Sequence, residues 1–390
     1  MSDLSRRDLL RWSAALSAGA FAAPVLDTLS STAESAHAAK SIGAGMAVTS
    51  LSQLAPFKPN LATGTKPNVP KRIAWANSSN AQFFLELGSS IQIAAKNRGW
   101  DYVTAIANND SATNINQIDN FMQVGIGALC IQPISAAAQA IVMKRAIQQG
   151  IAVMALVTPP SIVQAVADQY SVGHAQGLAA AKWITKNLGG KAKVVMFNHQ
   201  SIQVLIPRYQ GVMQGVKSAG PGVRIVANME PPGLTVQSAE QVMATLIQAH
   251  PDINVVLGGD TDSLGALAAY RSANKDTSHM YFSGIDGNAD ALAEIVKGGP
   301  YKASFAFAYN LMGYAWGEFA ADWGEGKSIP QVMVFTPIQL DSKAAIDTFN
   351  KAMSPGSISK SFKQTSTYMK LLGNISYDTI GRYVTTSPYK

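Results

Sequence analysis

Only one of the 390 residues is a cysteine, Cys130, and only five are histidines. One cysteine excludes an internal disulfide. It stands in the apolar run Ala128-Leu129-Cys130-Ile131, where a thiol packs as a small buried hydrophobe. Beyond the first forty residues the histidines are His174, His199, His250 and His279, and no two stand four apart, so the spacing of a histidine/cysteine metal site is missing. No Gly-x-Gly-x-x-Gly follows a strand-like run and no Gly-x-Ser-x-Gly elbow occurs, which removes the dinucleotide fingerprint and the hydrolase nucleophile turn. Charge is sparse at 14%. The last fifty residues hold seven basic groups against three acids, spread rather than clustered, which describes a solvated surface and argues against a nucleic-acid groove.

What the chain does have, at its start, reads as an address. Residues 5–26 are SRRDLLRWSAALSAGAFAAPVL, with Arg6 and Arg7 before an uncharged stretch of 15 residues. A spanning helix needs about 20 predominantly apolar residues, so an anchor is not expected. Small residues follow, ending in Ala36-His37-Ala38. A basic start, a short apolar stretch and an A-x-A site define a cleavable secretory signal. The paired arginines in Ser-Arg-Arg-Asp-Leu-Leu resemble the twin-arginine export motif; an ordinary amphipathic helix is the competing reading. The expectation is a signal peptide over 1–38 and a mature periplasmic chain starting near Ala39, with no transmembrane segment. No lipobox cysteine follows the signal.

Hydrophobic residues at 47% describe a globular chain, and about 350 mature residues exceed the reach of one core, so two lobes are expected. Residues 40–70 hold Pro56, Pro59, Pro67 and Pro70 among Gly, Ser and Thr, the composition of an extended arm or linker. From Lys71 the pattern alternates. Strands are expected over 73–76, 102–107, 128–132 and 152–157, separated by helices 82–98, 115–124 and 136–149. After a helix over 175–188 the rhythm restarts, with strands 193–197, 223–228, 254–258 and 280–284 and helices 207–219, 236–250, 263–272 and 289–297. Such alternation builds right-handed βαβ units on parallel sheets. RIAWAN, ending at Asn77, and KVVMFN, ending at Asn198, echo each other. The expected fold is therefore α/β, with two similar open parallel-sheet lobes, a hinge and an interlobe ligand cleft. Ligands bind such sheets beyond the carboxyl ends of the strands.

One enzyme-like motif, residues 321–328 (ADWGEGKS), approaches a phosphate loop. That loop needs a strand before it and a helix after it, whereas 314–323 is itself helical and Pro330 follows, so Gly324 and Gly326 read as helix-stop residues. Four strand-end features remain. Asn77-Ser78-Ser79-Asn80 leads into a helix whose Phe84 fits the core stripe while Phe83 points off it; aromatic faces suit the C–H surface of a sugar or a planar ring. Pro207 fits a first helical turn and places Arg208 beside it. Asp260 ends VVLGGD and Asp286 ends YFSGID. For each acid alone a helix cap competes with ligand contact; together, two carboxylates and a guanidinium could converge on a hydroxylated ligand, with Arg208 compensating buried acid.

The order NSSNAQFF, CIQP, PRYQGV, GGDTDSLGAL, SGIDG resembles the ribose/xylose class of periplasmic sugar-binding proteins over about residues 71–340. The resemblance implies ligand contacts at Asn80, Phe83, Phe84, Gln132, Arg208, Asp260 and Asp286. It also implies two lobes joined by three crossovers, near 171, 307 and 336. The N-terminal lobe would comprise 71–171 with 308–335 and the C-terminal lobe 172–307 with 336–354, behind an arm over 39–70 and ahead of an extension over 355–390. The chain departs from the pattern at two pocket positions. Thr158, after Val157 and before Pro159-Pro160, stands where an Asp with a polar neighbour is common, and Phe307 stands where a Gln often completes the pocket. Fewer donors and acceptors bring less hydroxylated ligands into consideration.

The resemblance implies a substrate-binding protein that captures a small solute, a sugar or polyol, for an ABC importer permease. It would act as a monomer, without cofactor, metal or catalysis, and without nucleic acid. The alternatives are the same fold holding an aromatic, nucleoside-like ligand, a sensor for a membrane receptor, and an exported cofactor enzyme, since twin-arginine substrates often carry cofactors. A transcription regulator of this fold would carry a helix-turn-helix where this chain carries the signal.

Overall fold

The segment Arg72–Asn77 (β1) is buried from Ile73 onward, as a continuous apolar run must be when both sheet faces are covered. It belongs to a computed structural model that describes residues 43–59, 61–80 and 82–388; the expected signal peptide lies outside them. Four more strands follow in the first half: β2 (Asp101–Ile106), β3 (Ala128–Ile131), β4 (Ala152–Leu156) and β5 (Val163–Ala167). The second half adds β6 (Ala192–Phe197), β7 (Val223–Met229), β8 (Val255–Leu257), β9 (Tyr281–Ile285) and β10 (Tyr301–Ala306), and the chain ends with β11 (Val332–Phe335), β12 (Ile338–Leu340) and β13 (Met369–Leu372).

These make two sheets, in the orders β13-β11-β5-β4-β3-β1-β2 and β12-β10-β9-β8-β6-β7. Every pairing is parallel except β13 on β11 and β12 on β10, which close one edge of each sheet antiparallel. The expected pair of parallel α/β lobes is thus present. In each, the second strand lies outside the first and the third on its other side, so both sheets reverse order at an equivalent point. Five strands were absent from the sequence reading. β5 follows β4 after residues 157–162 alone, far less than the helical crossover that usually links parallel neighbours, so no helix announces it. The other four are β10 to β13, and the last three of these are only three or four residues long.

The helices are α1 (Gln82–Asn97), α2 (Ser111–Val124), α3 (Ala136–Gln148), α4 (Gln169–Leu188), α5 (Ile206–Lys217), α6 (Val236–Ala249), α7 (Asp260–Ser272), α8 (Ala289–Val296), α9 (Tyr309–Gly324), α10 (Lys343–Met353) and α11 (Ile358–Phe362). α4 starts six residues before the expected position, capped by Asp168, whose Oδ1 accepts from the Ser171 amide at 2.9 Å. α9 ends at the phosphate-loop look-alike: Gly326 has φ +80° and Lys327 binds Glu325 at 2.6 Å, a helix stop with an ion pair. α4 and α5 touch backbone to backbone through Gly173, Gly177, Gly211 and Gly215, where a Cβ would collide with a main-chain atom of the facing helix.

The chain changes sheet four times: along α4, before α9, between β11 and β12, and between β12 and β13. The fourth passage runs down α10, where Ile346 belongs to the second core, Met353 to the first, and Phe349 packs against both. Residues 43–59 lie along the outer edge of the first sheet. Phe57 N–H donates to the Leu371 carbonyl at 2.8 Å and Gly373 N–H to that of Ala55 at 2.7 Å, while Val48 and Leu54 share a small core with Val332, Val334 and Val384. Arm and extension thus hold each other.

Candidate ligand site

Between the strand ends of the two sheets lies a cavity of about 1220 Å³. One wall comes from the first lobe. Phe83, in the first turn of α1, meets Phe84 edge-on at 4.8 Å and Tyr309, the first residue of α9, at 4.6 Å; Phe84 in turn lies over Trp75 of β1 at 6.5 Å. Both phenylalanines line the cavity, as does Gln132 at the end of β3. The Gln132 Oε1 is buried and has no hydrogen-bond partner. A buried acceptor left unpaired costs about 1–3 kcal/mol, which a donor on a ligand would recover.

The opposite wall carries the charge. Arg208, placed by Pro207 in the first turn of α5, is 6% exposed, and its Nε donates to Gln169 Oε1 at 2.8 Å. Its Nη1 stands 3.7 Å from Asp286 Oδ1. Asp286 caps no helix, since α8 starts from Asn288. It is held at φ +120°, a conformation that costs a non-glycine residue about 1–3 kcal/mol and concentrates at functional positions. The two ends of this bent segment are tied down: Asp286 N–H donates to the Phe305 carbonyl at 3.0 Å, and Gly287 N–H to Ser304 Oγ at 3.0 Å. The Asp286 side chain is 41% exposed to the open cavity, yet the surrounding walls push the carboxyl above its ordinary value while Arg208 pulls it down. Burial and the charge of Asp286 together raise the Tyr309 phenol.

Asp260 fares differently from its look-alike. It is fully buried behind the wall and does not line the cavity. Its Oδ1 accepts from Tyr301 Oη at 2.8 Å, and its Oδ2 from Ser304 Oγ at 2.8 Å and from the Asn288 amide at 2.7 Å. With both oxygens engaged, the expected ligand contact gives way to a framing role: Asp260 joins α7, β10 and the turn that carries Asp286. Burial first, and then the charge of Asp286, push its carboxyl up to about 7.

Three other expected contacts do not reach the cavity. Asn80 is exposed before α1. Thr158 donates its amide to the Leu156 carbonyl at 2.7 Å, forming a tight turn that puts Leu156 and Val157 in the wall instead. Val157 sits at the turn's apex with φ +62°, rare for a β-branched residue. Phe307 is core, 2% exposed, 5.6 Å behind Tyr309. The sequence reading missed Gln169, Tyr309 as a lining residue, and Asn288. A polar residue just past a strand marks Gln169, but the strand, β5, went unread.

Among the described residues no group of three His, Cys, Asp or Glu side chains is placed to hold a metal, and no helix is long and apolar enough to cross a membrane. The periplasmic binding protein domain family matches residues 73–328. The chain belongs to this family. Among curated relatives, the ribose import binding protein of Bacillus subtilis (strain 168) is 30% identical over 277 residues, 68% of this chain and 84% of the relative. Two solved structures share the fold. A periplasmic ribose ABC transporter protein from Conexibacter woesei has a TM-score of 0.63 at 21% identity, covering 74% of this chain and 97% of that one. The Caulobacter myo-inositol binding protein with myo-inositol bound has a TM-score of 0.59 at 21% identity, covering 74% and 98%. As a periplasmic binding protein the chain is of a kind that binds substrates for transport.

Proposed function

We propose that this periplasmic binding protein captures a sugar or polyol and delivers it, as a monomer, to the permease of an ABC importer, after export through the twin-arginine signal over 1–38. The observation that carries the reading is the opposition of Arg208 and Asp286 to the aromatic wall of Phe83 and Tyr309. A pyranose or furanose ring presents C–H faces and a hydroxyl rim. The rim needs what the charged wall offers: a carboxylate acceptor, a guanidinium with donors to spare beyond its bond to Gln169, and the unpaired Gln132 oxygen. The name of the Bacillus subtilis relative, which states ribose import, agrees with it. The charge and hydrogen-bonding groups of the site support the capture of a hydroxylated solute.

A thermal-shift screen of sugars and polyols on the mature protein tests this. A ligand at 100 times its dissociation constant stabilises the native state by about 2.7 kcal/mol, worth a few degrees for a protein of this size. Five aromatic side chains, Phe83, Phe84, Tyr309, Phe335 and Phe349, line the same cavity, and they favour nucleosides as the second class to screen. Shifts with nucleosides alone would replace the sugar reading.

A further inference from the structure

The cavity is longer than a sugar. Its lining runs down α1 from Phe83 to Ile93 and down α8 from Ala289 to Val296, about 15 Å and 10 Å of helix. The ligand groups described above all stand at one end, where strands stop and helices begin. The far end changes character. Its lining is Ile93 from α1, Leu292 and Val296 from α8, and Ile346, Phe349 and Met353 from α10, with Ile358 of α11 at the back. Ser89, Ser90 and Asn350 add polar groups to these walls, and the charged residues along them are all exposed: Glu86 of α1 and the ion pair of Lys343 with Asp347.

We infer that this apolar compartment is a second ligand subsite, and that the natural ligand is amphipathic: a hydroxylated head at Arg208 and Asp286 carrying an alkyl or aryl substituent that lies between α1, α8 and α10. The inference rests on the sugar or polyol reading for the head. Two observations select the ligand's own substituent as occupant. The compartment is continuous with the charged end in one cavity of about 1220 Å³, above the about 300–1,000 Å³ usual for small-molecule sites. Its outer wall is also not a gap between separating lobes, because α10 and α11 are anchored in both cores: Ile346 in the second, Met353 and Ile358 in the first, Phe349 against both. These wall residues lie beyond the segment matched by the family, residues 73–328. The chain after the matched segment, α10 and α11, thus adds a specificity element to the head site.

The test compares methyl and hexyl β-D-ribofuranoside by calorimetry on the full mature chain, on Ala293→Trp, which fills the compartment from an exposed position of α8 that lines it, and on Asp290→Trp, on the same helix outside the cavity. Each methylene buried in an apolar site favours binding several-fold. The hexyl glycoside should therefore bind at least about tenfold tighter in the wild type and in Asp290→Trp, and the gain should vanish in Ala293→Trp while methyl glycoside affinity stays. No gain, or a gain that survives in Ala293→Trp, overturns the subsite. If neither glycoside binds, ribose as the head is refuted and the dye 1-anilinonaphthalene-8-sulfonate decides the compartment. Emission enhanced by wild type and lost in Ala293→Trp alone supports it, and emission unchanged by the substitution overturns it.

Discussion

Gly173 on α4 lies so close to Arg208 on α5 that a Cβ added to it would fall inside the contact shell of the arginine's carbonyl oxygen and carbonyl carbon. This approach sets the Arg208 backbone relative to Gln169, one turn before Gly173, and so aims the guanidinium. Gly173→Ala must push the helices apart, and overpacking of this kind costs about 1–3 kcal/mol. The expected outcome is a lower melting temperature together with weaker ligand binding measured well below the transition. Gly299→Ala, at a position with open space around it, should leave both unchanged. A Gly173→Ala protein that binds like wild type would mean that Arg208 is not positioned by this contact.

Asp286 and Arg208 test the ligand reading directly. Asn caps a helix about as well as Asp, but Asp286 caps none, so Asp286→Asn removes only the charge and one acceptor from the cavity. Charge-assisted hydrogen bonds contribute about 1.5–3 kcal/mol, so affinity should fall about 10- to 150-fold. Arg208→Lys should do similar harm, because an ammonium cannot serve Gln169 and a ligand with one rigid fork. Asp290→Asn, on the exposed face of α8, should bind normally. Binding within twofold of wild type by Asp286→Asn would remove Asp286 from the site.

Asp260 should reveal itself in the pH dependence of stability. Its carboxyl is pushed up to about 7 in the folded protein, against about 3.9 for an unperturbed aspartate. Between these values the folded state holds a proton that the unfolded state has lost, so stability falls as pH rises through this window. The stabilising contribution of the protonated form is complete below about pH 4 and gone once the pH passes about 7. Asp260→Asn cannot titrate. Denaturant unfolding from pH 4.5 to 8 should show wild type losing stability relative to Asp260→Asn as the pH rises, and parallel curves would exclude the raised carboxyl.

Asp260 and Asp286 also show where sequence reading stops. Each stands just past an apolar strand with a glycine one or two residues before it, Gly259 or Gly284, and the apolar runs before them do not tell the two apart. Their fates are decided by Tyr301 and Ser304 on β10, 41 and 44 residues beyond Asp260, whose hydroxyls claim one carboxylate and leave the other to the cavity. The strand-and-helix rhythm was legible because buried parallel strands are continuous apolar runs and α1 has a clear core stripe. With it came Phe83, off the core stripe of the helix after the first strand, and Arg208, beside Pro207 in a first helical turn, whereas Gln132 came with the family resemblance. Gln169 was not legible, because β5 is joined to β4 without a helix. The far end of the cavity was not legible either, because α10 and α11 meet α1 and α8 only through the fourth passage between the sheets.

That fourth passage bears on how the protein moves. Phe83 and Gln132 sit on elements of the first sheet, Arg208 and Asp286 on elements of the second, so a ligand that touches all four draws the lobes together. Closure about a hinge lets a ligand be desolvated and later released. Small-angle scattering should therefore show a smaller radius of gyration at saturation, and no change would remove the hinge mechanism. Three passages alone would act as a hinge, whereas α10 adds a strut through Phe349, which packs against both cores. Phe349→Ala removes the contact that belongs to both and should let the unliganded protein open further, enlarging the difference between free and bound radii. Truncating a large, partly buried aromatic costs less than the about 3–5 kcal/mol typical of a core position, so the variant should remain folded at 25 °C. Equal differences in wild type and Phe349→Ala would show that α10 follows the lobes without restraining them.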